Sequence, residues 1–349
     1  YFGHLAPEQE KAFQSLVSEL PQAFSEASLS GEDLILWTAD LGSITDGKPS
    51  KKQAVILLKF LRARQFVAKD ALQMLVASLK WRKEFDIKNL MSETFPQSLQ
   101  EGGLIHGVDM KNCPVTYNLY GKMKMLDILC AEDGKGIERF IRWRVQLQEK
   151  AMQRLDFEAD IEHVMQVHDY DGASMFDVDS NVKETSSKII SLFQDNYPEM
   201  LNTKLFLGVP WFMEMVFNIM AAFSDAKTRG KFSMYGVGSS RSALLEYIRP
   251  ENLPERYGGF PSSLFGPAVA GAGELSTGEV KLRKGASAEE VSLELRRGGG
   301  GGKGIIAWAF VTRKGTGSLE ISLPSDPALS SAAPPDESAS GTLPLPDAA

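Results

Sequence analysis

The residues able to do covalent or metal chemistry are few here, and their spacing does not suit it. Only four histidines occur in 349 residues. His163 and His168 sit in a strand-like run an odd number apart, so they face opposite sides of a strand and do not converge on a metal. The glycine tract Gly298–Gly302 leads into Lys303 like a phosphate loop. However, Arg297 stands where the first glycine belongs, and Gly304 stands where a serine or threonine is needed. Gly236 and Gly238 precede a helix as in a dinucleotide fingerprint, but Arg241 takes the third glycine's place. No GxSxG, HExxH or CxxC is present. We therefore expect no catalytic residue, no metal site and no enzymatic activity.

What the residues can do is bind. Leu205–Val209 is a short apolar run of the buried-strand kind, and Pro210 stops it. Trp211–Phe223 is then apolar at nearly every position, with Glu214 and Asn218 four apart as one thin polar stripe. Such a helix covers roughly 20 Å, short of what crossing the hydrocarbon core requires. The exit, Ser224–Lys231, is polar and mostly basic, the composition of an apolar element meeting a phosphate-bearing surface. The residues alone leave two descriptions open, a buried core helix or a movable apolar gate.

The elements that must position this stretch follow from periodicity. Helices are expected at Pro7–Leu20, Lys51–Arg64 and Lys69–Phe85, with a Trp37 anchor between the first two. From Gly102 strands and helices alternate. Leu104–His106, Val115–Leu119, Ile161–Tyr170, Leu205–Val209 and Lys231–Tyr235 read as strands, and Ile137–Leu155, Val182–Asn196 and Ser240–Ile248 as helices. That alternation predicts an α/β fold with a mixed or parallel sheet and flanking helices. After Pro261 the runs Val291–Leu295 and Ile305–Val311 suggest a small β-domain, and the Pro- and Ser-rich end is expected to be disordered.

Composition fits a globular chain with 43% hydrophobic and 24% charged residues. A net charge of -7 argues against nucleic acid as a partner, so any attraction to an anionic membrane surface must come from a local patch. Two cysteines, Cys113 and Cys130, form no disulfide framework, which suits a reducing compartment, and cytoplasm is the expected location. No secretory signal or membrane-spanning run is present in these residues.

Four stretches in order carry a resemblance: LLKFLRAR at 57–64, WRKEF at 81–85, DNYPE at 195–199 and ENLPERYGG at 251–259. Together they resemble the CRAL-TRIO lipid-transfer family over about residues 50–260. The DNYP stretch, the turn at Val209–Phe212, Leu36–Trp37 and a following β-domain are most similar to patellins, which append a GOLD domain. The resemblance implies an N-terminal segment 1–48, a helical subdomain 49–100, a lipid-binding domain 101–260, a partial GOLD-like β-domain 268–324 anchored by Trp308, and a tail 325–349.

It further implies that a gate helix swings to admit one lipid into a cavity floored by the sheet. That helix carries Trp211, Phe212, Met213, Met215, Val216, Phe217, Met220 and Phe223. By the same resemblance Arg64, Glu199, Thr228 and Lys231 hold the head group of phosphatidylinositol or a phosphoinositide. Tyr117, Tyr120 and Gln166 become candidate cavity polar groups. Gln65 departs from the basic residue of some inositol-lipid binders. Val164 and Gln166 replace the hydroxyl pair that serves phosphatidylcholine, which argues against choline-lipid exchange. No cofactor other than the bound lipid is implied. The expected role is cytoplasmic and peripherally membrane-associated, in trafficking, with a protein partner at the C-terminal β-domain. Tocopherol, retinoid, squalene-like lipid or haem are the other ligand classes, and a lipid-sensing adaptor is the other role.

Overall fold

The computed structural model describes residues 5–44, 47–174, 180–210 and 230–259, and beyond them the backbone of four strands. The chain divides into two compact units, Tyr1–Asn252 and Leu253–Ala349.

The first unit opens with α1 (Pro7–Glu26), whose proline at the first helical position and acidic first turn suit the positive end of the helix. It runs through Pro21 and past the expected stop at Leu20, because Phe24 one turn on is buried in the same core. A two-residue hairpin follows, β1 (Ile35–Leu36) and β2 (Ala39–Asp40), paired antiparallel. Its turn is Trp37–Thr38, both with positive φ, 43° and 73°. Such turns favour asparagine and glycine. Here Trp37 is held instead by burial, stacked 6.1 Å from Phe60 and 6.2 Å from Tyr197.

Helix α2 (Lys51–Ala63) begins at a capping box in which Ser50 and Gln53 bond each other's backbone. It is buried on almost every side, Gln53 and Lys59 included. Helix α3 (Ala68–Glu84) packs beside it through Ala71, Leu75 and Leu79. The short helices α4 (Ile87–Leu90) and α5 (Gln97–Gln100) lead to the sheet.

The sheet comprises β3 (Gly103–Val108), β4 (Pro114–Asn118), β5 (Val164–Asp169), β6 (Leu201–Val209) and β7 (Phe232–Gly236), in that spatial order. β3 pairs antiparallel with β4, and the other three ladders are parallel. The sheet is therefore mixed, as expected from the alternation. Helices α6 (Met125–Leu129) and α7 (Gly136–Met152) connect β4 to β5, and α8 (Ser180–Asn196) connects β5 to β6. Register places Thr116 beside Gln166 and Asn118 beside His168, so these four share one face, the one α7 covers. Tyr117 pairs with Val167 on the opposite face.

In the second unit Leu253–Gly259 forms a tight turn. Gly258 is left-handed at φ 75°, and a Cβ on Gly259 would lie 2.0 Å from the Leu253 carbonyl oxygen. That explains the paired glycines of the ENLPERYGG stretch. Further on, Ile305–Val311 pairs antiparallel with Ser338–Pro344, and Glu320–Ile321 with Ser331–Ala332. The strand 338–344 falls inside the stretch expected to be structureless, where Pro- and Ser-rich composition hid a pairing partner for the apolar run at 305–311.

Candidate functional site

A cluster of charge forms where α2, β5 and the turn before β6 meet. Lys59 is wholly buried on α2, and a buried ammonium requires partners. It donates to the backbone carbonyl of Glu199 at 3.0 Å and lies 3.5 Å from Glu162 Oε2. Arg62, one turn on, lies 3.8 Å from the same carboxylate oxygen. Burial pushes the Lys59 ammonium down to about 8, and the Glu162 carboxylate opposes that.

The bond from Lys59 pins a strained turn. Glu199 has φ 53°, a left-handed conformation that glutamate rarely adopts. The turn is held at three further points. Ser78 Oγ donates to Asn196 O at 3.4 Å. Tyr197 donates to Glu149 Oε1 at 2.6 Å. Arg82 grips the same Glu149 with both guanidinium nitrogens, at 2.6 and 2.9 Å. The Tyr197 ring also packs edge-on against Trp81 at 6.0 Å. The DNYPE and WRKEF stretches therefore meet in space, and their tyrosine, tryptophan and arginine build the turn.

Held this way, Glu199 presents its carboxylate to Lys231 just before β7, with Oε2 3.9 Å from Nζ. Both side chains are partly buried. His163 is nearby. Burial first, then Lys59, Lys231, Arg62 and Lys111, push its imidazole down to about 3, so it is neutral and the cluster's cations lack a competitor. Arg64 is the exposed C-terminal cap of α2, on the helix that supplies Lys59 and Arg62. The chain reverses directly after it through Gln65 and Phe66, both left-handed at 51° and 61°.

Of the expected head-group set, the structure brings Glu199 and Lys231 into contact and puts Arg64 at the end of the helix that pins Glu199. Thr228 lies outside the described residues. So do Trp211, Phe212, Met213, Met215, Val216, Phe217, Met220 and Phe223 of the expected gate. Tyr117 is fully buried on the sheet face away from Gln166, so these two do not line one surface. Gln166 donates to Gln148 Oε1 on α7 at 3.0 Å. Tyr120 packs edge-on to His168 at 5.0 Å and tilted to Tyr170 at 5.6 Å, and burial raises its phenol. Among the described residues no group of three or more His, Cys, Asp or Glu could hold a metal ion. No helix of the described residues is long and apolar enough to cross a membrane.

Residues not anticipated from sequence are Lys59, Arg82, Glu149 and Glu162. A lysine inside the LLKFLRAR run looks like a solvated position, and only its apolar neighbours Leu57, Leu58, Phe60 and Leu61 hint otherwise.

Comparison with known proteins bears on what this geometry is. The family model described as the CRAL/TRIO domain matches residues 100–259, and that described as the CRAL/TRIO N-terminal domain matches residues 16–77. Patellin-6 of Arabidopsis thaliana is 35% identical over 265 residues, covering 74% of this chain and 61% of the relative. Patellin-5 of the same plant is 36% identical over 208 residues but is covered only to 31%. The chain thus spans about a third to three fifths of the length of these two patellins. The phosphatidylinositol transfer protein SFH5 of Candida albicans is 36% identical over 257 residues, covering 69% of this chain and 79% of the relative. A crystal structure of Sfh5 is similar with TM-score 0.58 and 30% identity, covering 68% of this chain and 83% of that one. With both family models matched in order across the helices and the sheet, the chain belongs to the CRAL/TRIO family.

Proposed function

We propose that this chain is a non-enzymatic carrier that takes one phosphatidylinositol molecule and moves it between membranes. The observation that carries the reading is the Glu199–Lys231 pair, set 3.9 Å apart on a turn that four separate side chains hold in place. A carboxylate beside an ammonium suits an inositol phosphate, because the carboxylate accepts from ring hydroxyls while the ammonium meets the phosphate. Arg64 adds a second cation, and Thr228 a hydroxyl. Similar proteins that bear the name phosphatidylinositol transfer protein support the same choice.

Burial of the acyl chains, at about 0.8 kcal/mol per methylene, keeps the lipid inside until a membrane is met. The Trp211–Phe223 stretch then trades contacts with lipid tails for contacts with the bilayer, and Lys227 and Arg229 steer it to anionic head groups. On this reading the protein acts peripherally on cytoplasmic membranes in trafficking, and the β-strands after residue 304 offer a surface to a protein partner.

The test is phosphatidylinositol transfer between vesicles. Lys231→Ala and Glu199→Gln are each expected to lower transfer about tenfold, the weight of one lost charge-assisted hydrogen bond. Transfer at the parent rate by both variants would refute the head-group assignment. Transfer by a Phe212→Asp/Phe217→Asp chain at the parent rate would refute the gate.

A further inference from the structure

Buried cations in this molecule are generally matched, Lys59 by Glu162 and Arg82 by Glu149. One group on the sheet, in which Arg144 and His168 are buried and Lys204 is partly buried, breaks that rule. Register places Asn118, Gln166, His168, Lys204 and Phe206 on a single face of the sheet, beneath α7. Arg144 of α7, 3% exposed, comes down onto this face and donates to Asn118 Oδ1. Its guanidinium carbon lies 6.0 Å from the Tyr120 ring and 5.5 Å from the Phe193 ring, while its Nε has no acceptor.

His168, 6% exposed, is held edge-on between Tyr120 at 5.0 Å and Phe206 at 5.6 Å, and its Nε2 likewise has no partner. The Lys204 ammonium completes the set, 5.3 Å from the Phe206 ring. Among the described residues no carboxylate pairs with Arg144 or Lys204. Among the described residues, then, the buried Arg144 guanidinium and the partly buried Lys204 ammonium have no anion beside them, and a charge withdrawn from water without a counter-charge is unfavourable. The three groups also feel one another. Burial, then Lys204 and Arg144, hold His168 well below its ordinary range, and burial followed by Arg144 lowers Lys204 to about 7.

We propose that Arg144, His168 and Lys204 form an inner oxyanion site that takes the phosphate or carboxylate end of an amphiphile, with its apolar body against Tyr120, Tyr170 and Phe206. A neutral imidazole with its proton on Nε2 donates to such an oxygen as the two cations do. The site shares no residue with the Glu199–Lys231 cluster. It rests on the reading of the chain as a lipid carrier and adds the charge class of ligand kept inside, an anionic end in preference to a choline.

The full chain is incubated with phosphatidylcholine vesicles, with the same vesicles containing phosphatidic acid or oleate, and with inorganic phosphate alone, then recovered and examined by native mass spectrometry. The parent is expected to retain phosphatidic acid or oleate over phosphatidylcholine. In Lys204→Met that preference should fall about tenfold, and Lys204→Arg should restore it. Thermal melting of each variant identifies a temperature at which all are folded, and retention is compared there. A Lys204→Met chain with the parent's preference, or a parent that retains phosphatidylcholine equally, would overturn the site. Inorganic phosphate bound as tightly as the amphiphiles would overturn its assignment to an amphiphile. Phosphatidylinositol transfer by the parent is read in the same preparations. Its absence with the anion preference intact would refute the proposed function and leave the inner site standing.

Discussion

At the scale of single residues, the charge cluster ties stability to pH through His163. Its folded value is about 3 against an ordinary 6.5. Between those values the unfolded chain binds a proton that the folded one refuses, so stability rises with pH across the window and falls on acidification. Urea unfolding from about pH 7 to about pH 5 is expected to show a falling midpoint, and His163→Asn should flatten that fall. A slope unchanged in the variant would mean that the carboxylates alone set it. Sequence could have given His163 only as one of a badly spaced pair. Its role comes from Lys59 and Lys231, which are far from it in sequence. The same holds for α7. Arg144, Gln146, Gln148 and Glu149 look like solvated positions, yet all four are buried, bonded to Asn118, to Leu90 and Glu93 carbonyls, to Met152 Sδ, and to Arg82.

At the scale of elements, periodicity located the longer helices and the five strands of the main sheet among the described residues, because each carries a repeating apolar pattern, but it missed the short α4, α5 and α6. What it could not locate were exceptions held by tertiary contact, such as the Trp37–Thr38 turn or the passage of α1 through Pro21. β6 carries a further exception at its end. Its ladder with β7 slips between Phe206 and Val209, and Gly208 between them has φ 59°. A Cβ there would lie 2.7 Å from the Asp171 backbone nitrogen. Gly208→Ala is therefore expected to cost about 1–3 kcal/mol, read by chemical denaturation. An unchanged midpoint would show that the strand end relaxes freely. The strand ends directly before Pro210. The residues proposed for the head group, Arg64, Glu199 and Lys231, were suggested by resemblance alone, since nothing in their spacing relates them.

At the scale of the molecule, the net charge of -7 repels an anionic surface, so the proposed membrane binding has to be local. Flotation with vesicles of phosphatidylcholine and phosphatidylserine should weaken steeply between about 0.1 and 0.5 M salt as screening shortens to a few ångströms. Lys227→Glu/Arg229→Glu should abolish it. Salt-independent flotation would assign the contact to apolar insertion alone.

The turn that carries Glu199 also has a history within each folding event. Its clamps come from residues 140 and 118 positions earlier in the chain, Lys59 and Ser78. Closing loops of that length is slow beside helix formation, so the Glu199 carboxylate is among the last groups to be set. Synthesis from the N-terminus eases this, because α2 and α3 leave the ribosome long before the turn does and present it with a finished socket. Order of manufacture thereby becomes part of how the site is built.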